Sequence, residues 1–340
     1  MHKVRVGVIG CGSIAQKRHL PEYRENVHTE IAGVVDLVQS RADDMASLYQ
    51  TKSYTDYKEL LLDEEVDAIS VCLPNYLHAS VTIDALNAGK HVLCEKPMAT
   101  SREEAEAMIL TAADNNKTLM IAHNQRFVSS HQKAKKILDS GELGKVYSFK
   151  TTFGHSGPEN WSIDGRDSWF FNKQEAFIGA LGDLGVHKSD LIRYLLGEVD
   201  QVGAFIDTSA KTDTKVDDNA ICMLKMKSGV IGSLAASWSY TGGSDNSTII
   251  YAENGVLLIE NDPEYPLIVN YSNGETVKYQ LKKIQSNEAG GQSTTHVIDH
   301  FIESLVLNKE PLINGGEGMK SLQVILGALE SNEKGAFITL

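Results

Sequence analysis

The first third of the chain alternates short apolar segments with amphipathic ones, and this alternation restricts the possible folds more than any other feature. The apolar segments are rich in Val and Ile and occupy residues 4–10, 31–36, 66–74, 91–97 and 118–127. Continuous apolar strands separated by helices are buried on both faces, and they form parallel sheets with right-handed crossovers. The pattern therefore predicts an α/β domain built on a doubly wound parallel sheet.

Helix-start and helix-stop signals support this interpretation. Ser40 and Ser101 each precede a carboxylate by three residues, as a capping side chain at the start of a helix does. Gly89 lies where a helix over residues 81–88 should end.

The pattern changes after residue 125, where hairpin signals replace the helical segments. Three dipeptides there favour tight hairpin turns, namely Ser228-Gly229, Asn254-Gly255 and Asn273-Gly274. We therefore predict a large open, mainly antiparallel sheet over residues 145–281, with one helix inserted near residues 181–196. Two more helices are expected near residues 294–307 and 318–331.

Composition and charge exclude several classes of protein. The 340 residues carry a net charge of −13, so no basic excess is available to neutralise nucleic-acid phosphates. No apolar run approaches the roughly 20 residues that a membrane span requires, and no secretory signal fits the N-terminal residues. The four cysteines form no C-x-x-C pair, which argues against a zinc site or a disulfide framework. We expect a cytoplasmic protein with no metal, nucleic-acid partner or membrane segment.

The segment GCGSIA follows the first apolar segment and has the form G-x-G-x-x-A. In such a turn Gly10 permits the tight bend, Gly12 lets backbone N–H groups approach a pyrophosphate, and Ala15 allows close helix packing. Asp36 follows the second strand, where a carboxylate accepts hydrogen bonds from the adenosine ribose. Arg41 could instead reach a 2′-phosphate or stack on adenine. The motif predicts NAD, with NADP as the alternative cofactor and a plain glycine-rich turn as the alternative to a nucleotide site.

Lys96, in the segment CEKP, lies at the C-terminal end of a predicted strand, the edge where open α/β sheets bind ligands. It is either a solvated loop charge or an ammonium group that works beside the ligand. Glu95 offers a second polar group to the nicotinamide ribose, and Pro97 fixes the local chain direction.

A second polar pair lies in residues 179–197. Asp183 and His187 are four positions apart, so they share one face of the predicted helix. Asp190 and Tyr194 continue this face, which is either solvated or part of a site. Glycines at positions 179, 182 and 185 leave backbone room for a ligand at this end of the helix.

These motifs, in this order and spacing, resemble the Gfo/Idh/MocA family of glucose-fructose oxidoreductase and inositol 2-dehydrogenase. The matching segments are GCGSIA, VVD, LPNYLH, GKHVLCEKPMA and GALGDLGVH, and the similarity covers essentially the whole chain. The tripeptide EKP, followed later by D-x-x-x-H, is specific for this family, whereas the glycine motif alone occurs in many nucleotide-binding proteins. The resemblance implies an NAD(P)-binding Rossmann domain, placed here at residues 1–125. It also implies a substrate-binding and oligomerisation domain, placed at residues 126–340, whose C-terminal helices can pack back on the first.

The resemblance further implies oxidation or reduction of a sugar, inositol or related polyol. Lys96, Asp183 and His187 correspond to the family's catalytic lysine, aspartate and histidine. The cofactor-binding positions, with Arg41 added from the charge argument above, are Gly10, Gly12, Ser13, Ile14, Asp36, Arg41, Pro74, Asn75, His78, Glu95 and Lys96. Ala180 stands where the family usually has the second glycine of G-G-x-L-x-D, a departure that leaves the catalytic pair unchanged.

The residue types fit hydride transfer between nicotinamide and a secondary hydroxyl or ketone. His187 suits the proton transfer, and Lys96 can stabilise negative charge on the same oxygen. Asp183 would orient the substrate or the ammonium group. The residues expected to contact substrate, each with a purely structural alternative, are Arg126, His155, Trp161 and Arg166.

Two other functions fit the same fold. An NAD-dependent glycosidase would oxidise a ring hydroxyl transiently and release sugar without net NADH. A non-catalytic NAD-sensing regulator needs no acid–base group, so the set of Lys96, Asp183 and His187 argues against it.

A homodimer or homotetramer is expected, because alternation in the later strands leaves one sheet face partly apolar. The residues behind this expectation are Ile221, Met223, Leu224, Met226, Ile249 and Ile250.

Overall fold

The computed structural model describes residues 3–281 and 294–340, which form two β-sheets with helices packed against them. The strands of the first sheet are β1 (Val4–Ile9), β2 (Thr29–Val35), β3 (Lys52–Tyr54), β4 (Ala68–Val71), β5 (His91–Cys94) and β6 (Leu119–Ile121). All are parallel, in the spatial order β3-β2-β1-β4-β5-β6. The predicted doubly wound sheet is confirmed. The apolar pattern missed only β3, because this edge strand contains no fully buried residue.

Helical segments connect these strands. In chain order they are a π-helical turn (Ala15–His19), α1 (Leu20–Glu25), α2 (Gln39–Tyr49), α3 (Tyr57–Leu61), α4 (Asn75–Asn87) and α5 (Arg102–Asp114). Ser101 caps α5 as predicted, since its hydroxyl accepts the Glu104 N–H at 3.1 Å. The prediction that Ser40 caps a helix is wrong, because Ser40 is already the second residue of α2, which begins at Gln39. Gly89 has a φ of +75°, the left-handed conformation that follows the end of α4.

The second sheet has nine strands within the described residues. They are β7 (Val146–Gly154), β8 (Val199–Asp207), β9 (Asn219–Met226), β10 (Ile231–Ser237), β11 (Thr248–Ala252), β12 (Gly255–Ile259), β13 (Leu267–Tyr271), β14 (Thr276–Tyr279) and β15 (Ile338–Thr339). Their order is β14-β13-β12-β11-β7-β10-β9-β8-β15, and only the β7–β10 pair is parallel. The large, mainly antiparallel sheet is therefore as predicted.

Two of the three predicted hairpin turns are confirmed. Gly229 joins β9 to β10 with a φ of +87°, and Gly274 joins β13 to β14 with a φ of +92°. The third turn is shifted, because Gly255 is already the first residue of β12 and pairs with Ala252. A Cβ atom at Gly255 would lie 2.5 Å from the Asn270 carbonyl oxygen, so strand packing requires glycine there.

The remaining helices are α6 (Ser129–Ser140), α7 (Lys173–Ala176), α8 (Val186–Leu196), α9 (Val297–Val306) and α10 (Gly315–Lys334), together with 3-10 turns at Asn124–Phe127, Pro158–Asn160, Gly165–Asp167 and Trp169–Phe171. Among them, α9 packs on the first sheet and α10 packs on both sheets. A π-helical turn, Leu181–Gly185, leads directly into α8. Phe301 of α9 and Leu322 of α10 belong to the core of the first sheet, whereas Ile325 of α10 belongs to the core of the second.

One face of the second sheet is partly apolar, but not through all the residues expected. Ile221 and Met223 are 59% and 57% exposed, and Phe205 beside them on β8 is 85% exposed. Leu224 and Met226 point the other way, into the core. Ile249 and Ile250 likewise lie on opposite faces of β11, with Ile250 fully buried. The prediction was wrong for these core residues because strand alternation sends neighbours to opposite faces.

Within the described residues, no helix is both long and apolar enough to cross a bilayer. In the same part of the chain, no three His, Cys, Asp or Glu side chains are grouped as metal ligands would be.

Candidate active site

A cleft of about 310 Å³ opens at the C-terminal edge of the parallel sheet. On one side it is lined by residues that directly follow β1, β4 and β5, among them Gly12, Cys72 and Lys96. On the other side it is lined by Phe153 of β7 and His187 of α8. The two parts of the chain thus meet where ligands of open α/β sheets bind.

The glycine turn has the geometry that its sequence predicts. Gly10 has a φ of +95°, and a Cβ atom there would lie 2.2 Å from the Cys72 carbonyl oxygen, so only glycine fits. A Cβ atom at Gly12 would meet no atom within 4 Å, so this residue faces open space. The turn therefore leaves room for a phosphate group to approach the backbone N–H groups.

Asp36 holds the glycine turn in place. One carboxylate oxygen accepts the Cys11 N–H at 2.9 Å, and the other accepts the Val38 N–H at 2.9 Å. Arg41 lies 3.7 Å from Asp36 and donates to Asp164 at 2.8 Å. The Arg41 guanidinium group is therefore already paired with two carboxylates.

Lys96 and Asp183 form a buried ion pair across the cleft. The Lys96 Nζ atom donates to both the backbone oxygen and the Oδ1 atom of Asp183, each at 2.9 Å. The Trp238 Nε1 atom donates to the other carboxylate oxygen at 3.2 Å. With its side chain only 15% exposed, Lys96 is not the solvated loop charge of the alternative interpretation.

A chain of hydrogen bonds supports the residue before this lysine. Glu95 bonds the His19 Nε2 atom at 3.0 Å, His19 bonds the Ser70 hydroxyl at 3.1 Å, and Tyr23 bonds the same hydroxyl at 2.7 Å. Burial raises the pKa of Glu95, but the His19 hydrogen bond and the Lys96 charge outweigh it and bring the pKa below its ordinary value. The carboxylate is therefore ionised beside Lys96.

His187 is buried on the same helix face as Asp183, and the two are 9% and 7% exposed. Asp190 is fully buried, so this face is not solvated, and the surface alternative is wrong. Burial, reinforced by the Lys96 charge, lowers the pKa of His187 well below its ordinary value, so the imidazole is neutral. Among the described residues its Nδ1 atom has no hydrogen-bond partner.

The other predicted cofactor residues also lie at this edge. Ser13 and Ile14 line the cleft, and the Ser13 hydroxyl bonds the backbone of Trp161 and Ile163 at 3.2 and 3.0 Å. The Asn75 amide donates to the Ala176 carbonyl oxygen at 2.8 Å.

His78 and Pro74 complete this set. The His78 ring bonds the backbone oxygens of Pro97 and Leu73 at 2.7 and 2.8 Å, and Pro74 is the residue before α4. These two residues shape the loops rather than offering free polar groups to a ligand.

The four predicted substrate residues divide into two groups. His155 and Trp161 line the cleft. Arg126 does not, because its guanidinium group is buried against Asp190 at 2.7 Å and Glu317 at 2.9 Å. Arg166 is exposed and bonds Asp213 at 3.0 Å. For both arginines the structure favours the structural alternative.

Several cleft residues were missed by the sequence argument. They are Arg18, His19, Asn124, Gln125, His131, Asn246 and Glu260. Asn124 and Gln125 follow β6 within three or four residues, so the rule that ligands bind at strand ends could have found them. His131 lies on α6, and Asn246 and Glu260 flank β11 and β12, where no local signal marks them.

Family comparisons agree with this architecture. Residues 4–123 match the model for an oxidoreductase family with an NAD-binding Rossmann fold, and residues 131–258 match the GFO/IDH/MocA C-terminal domain. The chain is 30% identical over 262 residues to levoglucosan dehydrogenase of Pseudarthrobacter phenanthrenivorans, a match that covers 70% of this chain and 64% of that protein.

Two further relatives match over nearly the full length. Myo-inositol 2-dehydrogenase of Thermotoga maritima is 26% identical over 341 residues, covering 97% of both chains. The crystal structure of aldose-aldose oxidoreductase from Caulobacter crescentus, complexed with glycerol, superposes with a TM-score of 0.86 at 25% identity and covers 100% of both chains. From its fold, its cleft and these similarities, the chain belongs to the Gfo/Idh/MocA family of oxidoreductases and carries an NAD-binding Rossmann domain.

Proposed function

We propose that this protein is an NAD-dependent dehydrogenase that acts on a secondary hydroxyl group, or on the corresponding ketone, of a sugar, inositol or related polyol. The observation that carries the proposal is the meeting of Lys96, Asp183 and His187 in one buried cleft at the edge of the nucleotide-binding sheet. Lys96 comes from the first domain and the other two residues from the second, so only a ligand between the domains can contact all three.

The residues at the sheet edge fit the dinucleotide. The open space at Gly12 leaves the backbone accessible to a pyrophosphate. Asp36, which follows β2, would bind the ribose, and Glu95 and Lys96, which line the cleft after β5, would hold the nicotinamide end. When bound, NAD supplies the acceptor or donor of hydride.

His187 is suited to move the proton. Its neutral imidazole can accept the proton of a substrate hydroxyl during oxidation and return it to the oxygen during reduction. The low pKa of His187, caused first by burial and then by Lys96, keeps the group in its base form at neutral pH.

Lys96 is suited to stabilise the reacting oxygen. Two of its three N–H donors are used by Asp183, which leaves one for an alcohol oxygen that gains negative charge as its proton departs. Asp183 acts by fixing the position of the ammonium group. Its own position is fixed in turn by Trp238.

The relatives support a polyol substrate. Their names specify levoglucosan, myo-inositol and aldoses, and the aldose enzyme was crystallised with glycerol. All of these compounds carry secondary or vicinal hydroxyl groups.

The test is a panel of sugars and inositols incubated with purified protein and NAD, with NADH absorbance as the readout. At least one neutral polyol should produce NADH at a rate that depends on enzyme concentration. Release of sugar from a glycoside without net NADH would instead indicate the NAD-dependent glycosidase. Binding of NAD without turnover of any compound would indicate the regulatory alternative.

A further inference from the structure

Four polar side chains that line the cleft are not used by the proposed mechanism. His131, Asn246 and Glu260 belong to the second domain, and Gln125 lies at the domain boundary, four residues after β6. We refer to these four residues as the acceptor wall: Gln125, His131, Asn246 and Glu260. All four line the same cleft as Lys96 and His187.

His131 presents a hydrogen-bond acceptor. Its Nδ1 atom bonds the Gln125 carbonyl oxygen at 2.8 Å, so Nδ1 carries the proton and Nε2 carries the lone pair. Burial, followed by the Lys188 charge, lowers the pKa of His131 to about 3, so the ring stays neutral. The residue is 0% exposed, and within residues 3–281 and 294–340 its Nε2 atom bonds nothing.

Two amide oxygens share this property. The Gln125 Oε1 atom and the Asn246 Oδ1 atom are buried, and neither has a hydrogen-bond partner in the described part of the chain. Asn246 is held in place through its backbone, whose carbonyl oxygen accepts the Nζ atom of the fully buried Lys188 at 2.8 Å. A buried polar atom without a partner is costly, so these atoms need a donor from a ligand or solvent.

Glu260 adds a carboxylate. It has a φ of +51°, a conformation that is unfavourable for a non-glycine residue and is often found at functional sites. Its Oε1 atom accepts the Ser130 hydroxyl at 2.5 Å, and Ser130 is the residue before His131 in the chain.

The positively charged side chains that could neutralise a phosphate on the substrate lie at the cofactor edge or are paired with carboxylates. Among the described residues that line the cleft, the lysines and arginines are Arg18 and Lys96. Arg18 lies on the turn beside the glycine motif, at the cofactor edge, and Lys96 is paired with Asp183. Arg126 and Arg166 are bound to carboxylates away from the cleft. Lys188 lies behind the acceptor wall, where it is fully buried and its Nζ atom donates to the Asn246 carbonyl oxygen and the Thr248 hydroxyl, and it does not line the cleft.

We propose that the acceptor wall is the specificity subsite for the substrate, and that it takes an uncharged polyhydroxylated compound and rejects sugar phosphates and sugar acids. Its four acceptors match the O–H donors of a polyol. A phosphate or carboxylate there would face the Glu260 charge and would leave these acceptors without donors. This inference rests on the proposed function and specifies its substrate class.

The experiment compares each active neutral polyol with its charged counterpart. D-glucose is paired with D-glucose 6-phosphate and D-glucuronate, and myo-inositol with myo-inositol 1-phosphate. Two readouts are taken: kcat/KM from NADH formation, and the rise in Tm of the NADH complex on addition of each compound. We expect kcat/KM to favour the neutral compound by about tenfold or more, since like charges at close range cost several-fold in affinity each.

Two variants test the wall directly. Glu260→Gln keeps the Ser130 hydrogen bond and removes the charge, so the preference for the neutral compound should fall several-fold. The exposed Glu275→Gln serves as its matched control and should leave the preference unchanged. His131→Phe fills a similar volume without the acceptor and should raise KM for the neutral polyol about tenfold.

The outcomes separate the two proposals. Neutral polyols that raise Tm without yielding NADH would contradict the dehydrogenase function and support the subsite. Charged sugars turned over as well as neutral ones, or a Glu260→Gln variant with unchanged preference, would overturn the subsite and leave the dehydrogenase function standing. If no compound either binds or reacts, both proposals are wrong.

Discussion

The two walls of the cleft differ in how their polar groups are satisfied. The cofactor wall is formed by the glycine turn, Asp36 and Glu95, together with His19 and Ser70 behind Glu95. On this wall His19 bonds both Glu95 and Ser70, and both carboxylate oxygens of Asp36 accept backbone N–H groups. On the acceptor wall, the Nε2 atom of His131 and other buried atoms have no partner among the described residues. The polar groups of the first wall are paired within the protein, whereas those of the second are incomplete until donors from a ligand or from solvent reach them.

Because their polar groups are satisfied differently, the two walls are suited to different functions, one to binding the cofactor and the other to selecting the substrate. A wall whose groups are already fixed can hold the same cofactor in every turnover with little reorganisation. A wall with open acceptors makes affinity depend on which hydroxyl groups the substrate offers. Lys96 and His187 lie between the walls, where substrate and cofactor must meet.

The largest effect is expected at this junction. Replacing Lys96 by Ala should lower kcat by about a hundredfold or more, because it removes an interaction made chiefly in the transition state. The affinity for NAD should change little. Steady-state rates and NAD titration measure both quantities, and the exposed Lys52→Ala variant is the control. Retention of most of kcat by Lys96→Ala would contradict the role assigned to this ammonium group.

His187→Ala should reduce the rate of oxidation about a hundredfold. The sign of the pH dependence follows from the lowered pKa of His187: the base form is present above that pKa, so wild-type kcat/KM for oxidation should stay level through neutral pH and decline only in acid. The variant should lose this acidic decline. A pH–rate profile of both proteins tests it, with exposed His28→Ala as control. An unchanged acidic limb in His187→Ala would assign the limb to another group.

A smaller effect is expected on the cofactor wall. Asp36 should favour NAD over NADP, because its charge repels a 2′-phosphate and Arg41 is already paired with carboxylates. Asp36→Ser should narrow this preference about tenfold, since one like-charge contact is removed. Titration of both nucleotides measures the ratio, and exposed Asp44→Ser is the control. A wild-type preference for NADP would show that Arg41 governs the choice.

Arg126 should affect stability and not substrate affinity. Arg126→Met removes both guanidinium hydrogen bonds to the buried Asp190 carboxylate and leaves it only the Ser321 hydroxyl and the more distant Arg193, which should cost about 3–5 kcal/mol of unfolding free energy. KM should stay within about twofold of wild type, since the residue lies outside both walls. Denaturant titration and kinetics test the two parts. A large rise in KM at unchanged stability would return Arg126 to the substrate site.

Substitutions on the exposed face of the second sheet are expected to have the smallest effect on the two walls of the cleft. We propose that this face forms the interface of a homodimer or homotetramer, because Phe205, Ile221 and Met223 leave an apolar patch on it. Met223→Asp should dissociate the assembly, and light scattering should then give the mass of one chain. Leu110→Asp, on the exposed side of α5, is the control. A wild-type protein that is monomeric at micromolar concentration would contradict this interface.

The cofactor wall was largely predictable from sequence, because its residues are marked by local signals. Gly10, Asp36 and Lys96 each follow directly on an apolar strand, and parallel strands bring their C-terminal ends to one edge. Asp183 and His187 are related by a single helical turn. In each case a local signal marks the residue in the sequence, although the contacts of Lys96 with Asp183 and of Asp183 with Trp238 became visible only in the fold.

Within the acceptor wall, Gln125 could have been found by the strand-end rule, but Asn246 and Glu260 were not predictable, because their positions depend on sheet pairing over long separations. Asn246 precedes β11 and Glu260 follows β12, and only the register of these strands with β7 brings them to the cleft. For Arg126 the sequence suggested a site residue where the structure shows a structural one. Its residue type suggested substrate binding, but its partners Asp190 and Glu317 lie far along the chain and became visible only in the fold.

The position of α10 has a consequence for how the protein unfolds. This helix contributes Leu322 to the core of the first sheet and Ile325 to the core of the second, and Glu317 at its start bonds Arg126 and Arg193. Melting of either core therefore removes packing that α10 gives to the other, so we expect the two domains to unfold together rather than in two separate transitions. A denaturant that opens the cleft should then also reduce the stability of both sheets.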